Sequence, residues 1–122
     1  MRPVPVELRV EWSVHPQQAS AVGVAAQSVA NADRREQGCL TCSLATDMGD
    51  HVTLRLREVW DSEASLRRHV RSRRFETLAG LLETALEPPR IEFALEGRIR
   101  GLDYVGEVRQ RTGPDVPVSR RR

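Results

Sequence analysis

From Val4 to Val14 the chain alternates: Val4, Val6, Leu8, Val10, Trp12 and Val14 share one parity, and Glu7, Arg9, Glu11 and Ser13 take the other. A period of two places the first set on one face, so residues 4–14 predict a strand covered on one side. The period then changes. His15-Pro16 ends the strand, Pro16 suits the first turn of a helix, and Ala19, Val22, Ala26 and Val29 recur at helical spacing up to Ala32. These side chains are small, so the helix can lie close on a sheet. It buries little apolar area per residue and must draw its stability from docking.

Gly38 breaks the helical pattern, and a second strand is predicted from Cys39 to Thr46 with Leu40, Cys42 and Leu44 on one face. Asp47-Met48-Gly49-Asp50 is turn chemistry. A third strand is predicted from His51 to Trp60, with Val52, Leu54, Leu56, Glu58 and Trp60 on one side and Thr53, Arg55, Arg57 and Val59 on the other. The second and third strands therefore read as an antiparallel hairpin. Asp61-Ser62 supplies a helix N-cap, with Glu63 favourably placed in the first turn. Leu66 and Val70, then Phe75, Leu78, Leu82 and Leu86, form two apolar segments whose phase slips around Ser72-Arg73-Arg74, which predicts a break there. Pro88-Pro89 ends the helix.

A last strand is predicted at Arg90 to Gly97, where Ile91, Phe93 and Leu95 alternate with Glu92, Ala94 and Glu96. Residues 98–109 carry Leu102, Tyr104, Val105 and Val108 and read as a short helix or docking segment. The domain is placed at 1–109, followed by an Arg-rich tail at 110–122 that is expected to be disordered. The order strand, helix, strand, strand, helix, strand is the βαββαβ pattern of an α+β, ferredoxin-like fold with a mainly antiparallel sheet. Helices cover one face of such a sheet. The other carries Cys39, Ala45, Val59 and Ala94, which predicts a second protomer there and a symmetric homodimer.

Length narrows the picture to one domain, since the chain has 122 residues. No apolar run approaches the roughly 20 residues of a membrane helix, and the N-terminus has no signal-type apolar core, so the protein is expected to be cytoplasmic with no membrane partner. All 19 basic residues are Arg, against 17 acids. Residues 110–122 contain four Arg and one Asp, so the remainder carries 15 Arg against 16 acids, a balance of −1. That argues against a nucleic-acid partner. Cys39 and Cys42 form the only C-x-x-C, no second ligand pair exists among His15, His51 and His69, and side chains three apart on a regular strand face opposite ways. The expectation is therefore no metal and no disulfide, and two buried or half-buried small apolar residues.

Candidate chemistry begins with Glu58, which falls on an otherwise apolar strand face where an unpaired carboxylate is expensive. It must find a donor, and His69 or an Arg side chain can serve. His69 lies between Leu66 and Val70, at least half buried, where an imidazole can accept a phenolic proton or sit satisfied against Glu58 or backbone. Trp60 closes its strand beside the helix cap, placed either to stack on a planar substrate or to anchor the core. Arg67, Arg68, Arg71, Arg73 and Arg74 read as the wet side of the second helix.

Three blocks give these residues a context. Arg35-Glu36-Gln37-Gly38-Cys39-Leu40, then Arg57-Glu58-Val59-Trp60-Asp61-Ser62-Glu63-Ala64-Ser65-Leu66, then His69-Val70-Arg71-Ser72-Arg73-Arg74-Phe75 stand in the order E-x-G-C-L, E-x-W-x-S/D-x-x-A-L and H-x-x-S-x-x-F. Over roughly residues 5–97 the chain resembles the antibiotic biosynthesis monooxygenase family, especially its quinol monooxygenase branch, with Ser65 in place of the usual Ala. The resemblance implies a ferredoxin-like protomer in a homodimeric α+β barrel. For characterised members it also implies oxygenation of phenols, anthrones or hydroquinones by O2 without metal, flavin or other cofactor. Many relatives carry Tyr where this chain has Cys42. Haem-degrading relatives carry an Asn early in the first strand, a Trp at His69 and a haem-ligating His at Ala79, none of which is present.

The reading that follows is a cofactor-independent monooxygenase acting on a small aromatic or quinol-like substrate with O2. His69 serves as base, Glu58 orients it, Trp60 walls the pocket, and Trp12 and Cys42 line it. The alternatives are a non-catalytic dimeric barrel that binds a small hydrophobic ligand, and a proton-transfer isomerase or cyclase on the same scaffold.

Overall fold

The first strand realises its alternation residue by residue: in the computed structural model, which describes residues 4–110, β1 spans Val6–Val14 and buries Val6, Leu8, Val10, Trp12 and Val14. A single 3-10 turn over Pro16–Gln18 leads into α1, Ala19–Arg34. The chain then forms β2 (Cys39–Met48) and β3 (Val52–Trp60), α2 (Glu63–Val70) and α3 (Arg73–Leu82), β4 (Arg90–Leu95), β5 (Arg98–Arg100) and α4 (Asp103–Gln110). The sheet order is β2-β3-β1-β4-β5 with every pairing antiparallel. This is the α+β, ferredoxin-like architecture expected from the element order.

Two serines explain the break between the second-half helices. Ser62 accepts a hydrogen bond from the Ser65 amide at 3.2 Å and caps α2, and Ser72 accepts from the Phe75 amide at 3.3 Å and caps α3. The predicted extension to Leu86 is corrected: α3 ends at Leu82, and the Leu86 amide donates to the Ser13 carbonyl at 2.8 Å. The chain leaves the helix because tight turns at Glu83 to Ala85 bond back to Gly80, Leu81 and Leu82, and Pro88-Pro89 cannot resume it. Residues 98–109 split, with 98–100 adding an edge strand after the Gly97 turn and 103–110 forming α4. Tyr104 docks that helix, its ring centroid 4.7 Å from Phe93 and its hydroxyl donating to Glu63 at 2.8 Å. Of the predicted tail, residues 111–122 lie outside the described residues.

The second strand departs from a regular alternation in a way that reorganises the core. Cys39 pairs with Trp60 and Thr41 with Val59, so Leu40 is an inserted residue at a β-bulge. Leu40 is turned out and exposed, contrary to its expected place beside Cys42 and Leu44. Cys39 and Cys42 now pair with Trp60 and Glu58, which share a strand face, so the two cysteines share the inner side instead of opposing. Both are free thiols. With Cys39 moved inward, the outer sheet face is mostly charged: Arg57 bonds Glu7, and Arg55 bonds Glu11 and Asp47.

Gly38 fixes the approach to that bulge. Its φ of 95° lies in the left-handed region, its carbonyl accepts the Asp61 amide at 2.8 Å, and an added Cβ would meet Ser65 Oγ at 2.5 Å and Ser65 Cβ at 2.7 Å. Gly97 has a φ of 75° with open space around it. Gly38→Ala is therefore expected to cost about 2 kcal/mol or more, and Gly97→Ala only about 1 kcal/mol, in denaturant unfolding. Equal costs would show that backbone conformation alone, and not the contact with α2, makes glycine necessary at position 38.

Candidate functional site

Glu58 comes from the inner face of β3, His69 from the buried side of α2, Asp33 from the last turn of α1 and Cys42 from β2. Glu58, His69 and Asp33 are fully buried, at 0% exposure. Strand alternation and helical spacing force this meeting. Glu58 keeps the parity of Leu54, Leu56 and Trp60, and Asp33 continues the stripe of Val22, Ala26, Val29 and Ala30. Four elements thus deliver two carboxylates, an imidazole and a thiol to one volume, and Glu36, in the turn between α1 and β2, stands at the rim as a third carboxylate.

The donors are unequally shared. Trp60 Nε1 donates to Glu58 Oε1 at 3.1 Å, and Cys42 Sγ donates to Glu58 Oε2 at 3.7 Å. His69 Nδ1 meets Glu36 Oε1 at 3.0 Å, and Arg74 Nε donates to the same oxygen at 3.3 Å. On the other side of the ring, His69 Nε2 lies 3.3 Å from Glu58 Oε1 and 3.5 Å from Asp33 Oδ2, without hydrogen-bond geometry to either. Neither oxygen of Asp33 receives a hydrogen bond from a neighbouring donor; Arg74 Nε stands 3.9 Å from its Oδ1. The imidazole is covered by aromatics, stacked on Trp60 at a centroid distance of 4.6 Å and edge-on to Phe75 at 5.9 Å.

Crowded carboxylates and one base drive the protonation pattern. Burial, then contact with Glu58, pushes the Asp33 carboxyl up to about 9, so Asp33 is a neutral acid at pH 7 and its proton faces Glu58. Burial also opposes ionisation of Glu58, but contact with His69 outweighs it and holds Glu58 below the ordinary carboxylate value. For His69, burial disfavours the cation, yet Glu58 and Glu36 prevail and raise it above the ordinary histidine value. Burial and the nearby carboxylates push Cys39 up to about 11 and raise Cys42 as well, so both remain thiols.

The structure therefore brings together four of the five expected site residues: Glu58, His69, Trp60 and Cys42. The fifth, Trp12, lies elsewhere. It pairs with Leu54, while Glu58 pairs with Leu8, which separates Trp12 from Glu58 by four residues or ~13 Å along the sheet. Its indole N–H is buried without a partner. Asp33 escaped the sequence reading, although its place on the α1 apolar stripe is the same kind of signal that marked Glu58. Glu36 was visible only as part of a motif. A cleft of about 270 Å³ on the outer sheet face, lined by Arg9, Arg55, Arg57, Arg90 and Glu92 among others, includes none of these residues.

Comparison with known proteins gives the geometry a setting. The family model described as antibiotic biosynthesis monooxygenase matches residues 5–80, which include the whole cluster. No curated protein matches the chain. Among solved structures, a Pseudomonas aeruginosa protein is similar at 24% identity and a TM-score of 0.65, covering 78% of this chain and 96% of its own. A conserved protein from Methanosarcina mazei Go1 is similar at 21% identity and a TM-score of 0.66, covering 75% of this chain and 92% of its own. A candidate antibiotic biosynthesis monooxygenase from Nitrosomonas europaea is similar at 17% identity and a TM-score of 0.65, covering 83% of this chain and 92% of its own. At these identities the structural matches establish the fold.

Proposed function

The chain belongs to the antibiotic biosynthesis monooxygenase family, and from that premise we propose that it oxygenates a small phenolic, anthrone or hydroquinone-like molecule with O2, without a cofactor, as a homodimer. A monooxygenase-type function is what the family supports; the substrate class and the proton chemistry are our reading. The observation that carries it is the His69 ring, held between Glu58 and Glu36 and stacked on Trp60.

In this reading His69 accepts the substrate proton, and the electron-rich carbanion or phenolate then reduces O2 directly. For an anthrone the atoms balance simply: one CH2 and one O2 give one C=O and one water. The chain supplies deprotonation, orientation and exclusion of bulk water. Because Glu58 and Glu36 raise the proton affinity of His69, its basic form is populated only above the ordinary histidine range. Turnover is therefore expected to rise with pH through a value above 6.5.

A second reading has its own observation. His69 is wholly buried, with carboxylates at both nitrogens and aromatic rings over it, which favours a structural cluster in a domain that binds a hydrophobic ligand without turning it over. O2 uptake by chelator-treated protein against anthrones and hydroquinones separates the two. Uptake above autoxidation, with one oxygen atom added to product and a loss of about 10²- to 10⁴-fold in His69→Gln, supports the oxygenase. Ligand binding without uptake supports the second reading, and substrate conversion without O2 consumption identifies proton transfer instead.

A further inference from the structure

Access to the buried imidazole is one-sided. On the Nε2 side stand Glu58 and Asp33, both at 0% exposure, with the acid proton of Asp33 facing Glu58. Trp60 covers one face of the ring and Phe75 meets its edge. Among the described residues, the polar group against the ring that reaches solvent is Glu36, whose side chain is 12% exposed and whose Oε1 lies 3.0 Å from Nδ1. A proton passes between two groups when they stand within hydrogen-bond reach. From the imidazole to water, the structure offers that reach through Glu36.

The carboxylate is held where this role needs it. In the turn after α1, the Glu36 amide donates to the Asp33 carbonyl and the Glu36 carbonyl accepts from the Cys39 amide, each at 3.0 Å, so the backbone is pinned on both sides. Arg74, in the first turn of α3 and 48% exposed, donates from Nε to Glu36 Oε1 at 3.3 Å. Nδ1 and Arg74 thus share one oxygen, and Oε2 takes part in neither contact. A guanidinium has no lone pair to accept a proton and does not release one in proteins, so Arg74 can fix Glu36 without relaying.

We propose that Glu36 carries protons between His69 and the outside of the cluster, and that His69 meets substrate and solvent only through this carboxylate, with Arg74 as its positioning residue. Transfer from substrate rests on the oxygenase reading; exchange with water does not. In turnover the substrate O–H or C–H bond breaks and leaves its electron pair on the substrate, and the proton forms an O–H bond on Glu36. The carboxyl then gives that proton to the lone pair of Nδ1, which restores the carboxylate and leaves His69 as a cation beside Glu58. The proton leaves for water by the reverse steps. The groups that set this balance are Glu58 from β3, Asp33 from α1, Glu36 from the turn, Arg74 from α3 and, from β2, the neutral thiols of Cys39 and Cys42.

The test is nuclear magnetic resonance of the full chain carrying 15N-labelled histidine. His15 and His51 are exposed, so a downfield side-chain proton in slow exchange with water belongs to His69. Glu36→Gln keeps the size and an acceptor for Nδ1 and cannot carry a proton. It should slow that exchange by about tenfold or more and move the His69 titration to lower pH, because an anion is lost. Arg74→Gln should leave the exchange no slower and move the titration to higher pH, because a cation is lost. If Glu36→Gln fails to fold by circular dichroism, Glu36→Asp, which draws the carboxylate back by one methylene, carries the comparison and should also slow exchange. Exchange as fast as in the parent means that water reaches His69 by opening of the fold, and overturns the route. With a substrate that the parent oxygenates, Glu36→Gln should lower kcat by about 10²-fold or more; an unchanged kcat overturns transfer from substrate. A parent without O2 uptake removes the oxygenase reading, and the exchange rates alone then decide the route to water.

Discussion

Replacing His69 with alanine is expected to destabilise the fold by about 3–5 kcal/mol, the scale for removing one member of a buried charged group. The imidazole lies 3.3 Å from Glu58 and 3.0 Å from Glu36 and is itself wholly buried. Its removal leaves Glu58 with only the Trp60 indole, the Cys42 thiol and the Asp33 acid beside it, and opens a cavity against Trp60 and Phe75. His69→Gln retains a donor and most of the volume, so it should lose less. Urea unfolding of both variants at pH 6 checks the order. A His69→Ala cost below about 1 kcal/mol would mean that Glu58 is already satisfied without the imidazole.

That expectation separates stability from chemistry. A large stability loss on its own fits a structural cluster, whereas loss of turnover in His69→Gln at nearly full stability marks a group that acts on substrate. The contrast matters because the site is closed: His69 is wholly buried, with carboxylates at both ring nitrogens, Trp60 stacked on it and Phe75 at its edge.

How much of this was legible depended on whether a periodicity survives folding unchanged. Glu58 stood out because β3 alternates without interruption, so one acidic residue on an apolar parity had to be buried. The same logic applied to α1 reaches Asp33, eleven positions after Val22 on the buried stripe, but the helix end lay two residues beyond the predicted Ala32 boundary. The β2 bulge left no mark on spacing. One inserted residue reverses the parity of everything before it, which is why Leu40 and Cys39 exchanged faces relative to expectation. β5 was hidden for a simpler reason: Arg98-Ile99-Arg100 offers a single apolar residue, and an exposed one. The partner of Glu58 was narrowed to His69 or an arginine, and the missing third member was a carboxyl whose charge is suppressed.

That suppressed charge yields the second large effect. Stability should fall as pH rises from about 4 to about 9, because Asp33 is held up to about 9 in the fold against an ordinary value of 3.8. Across that window the unfolded chain has released the Asp33 proton and the folded chain has kept it, so each pH unit costs up to ~1.4 kcal/mol. His69, raised in the fold, adds stability that is present below 6.5 and is likewise lost as pH climbs through its folded value. Glu58 acts in the opposite sense. Its value is lowered, so its contribution is present above 4.5 and is lost as pH falls through the folded value. Asp33→Asn keeps a neutral donor toward Glu58 and has nothing to ionise. The variant should therefore be more stable than the parent by about 2 kcal/mol or more at pH 8 and nearly equal to it at pH 4.5, with the gap widening steadily between. Parallel Tm curves from pH 5 to 9 would show Asp33 ionised inside the fold, its charge balanced by His69 and Arg74, which stand 3.5 and 3.9 Å from its oxygens.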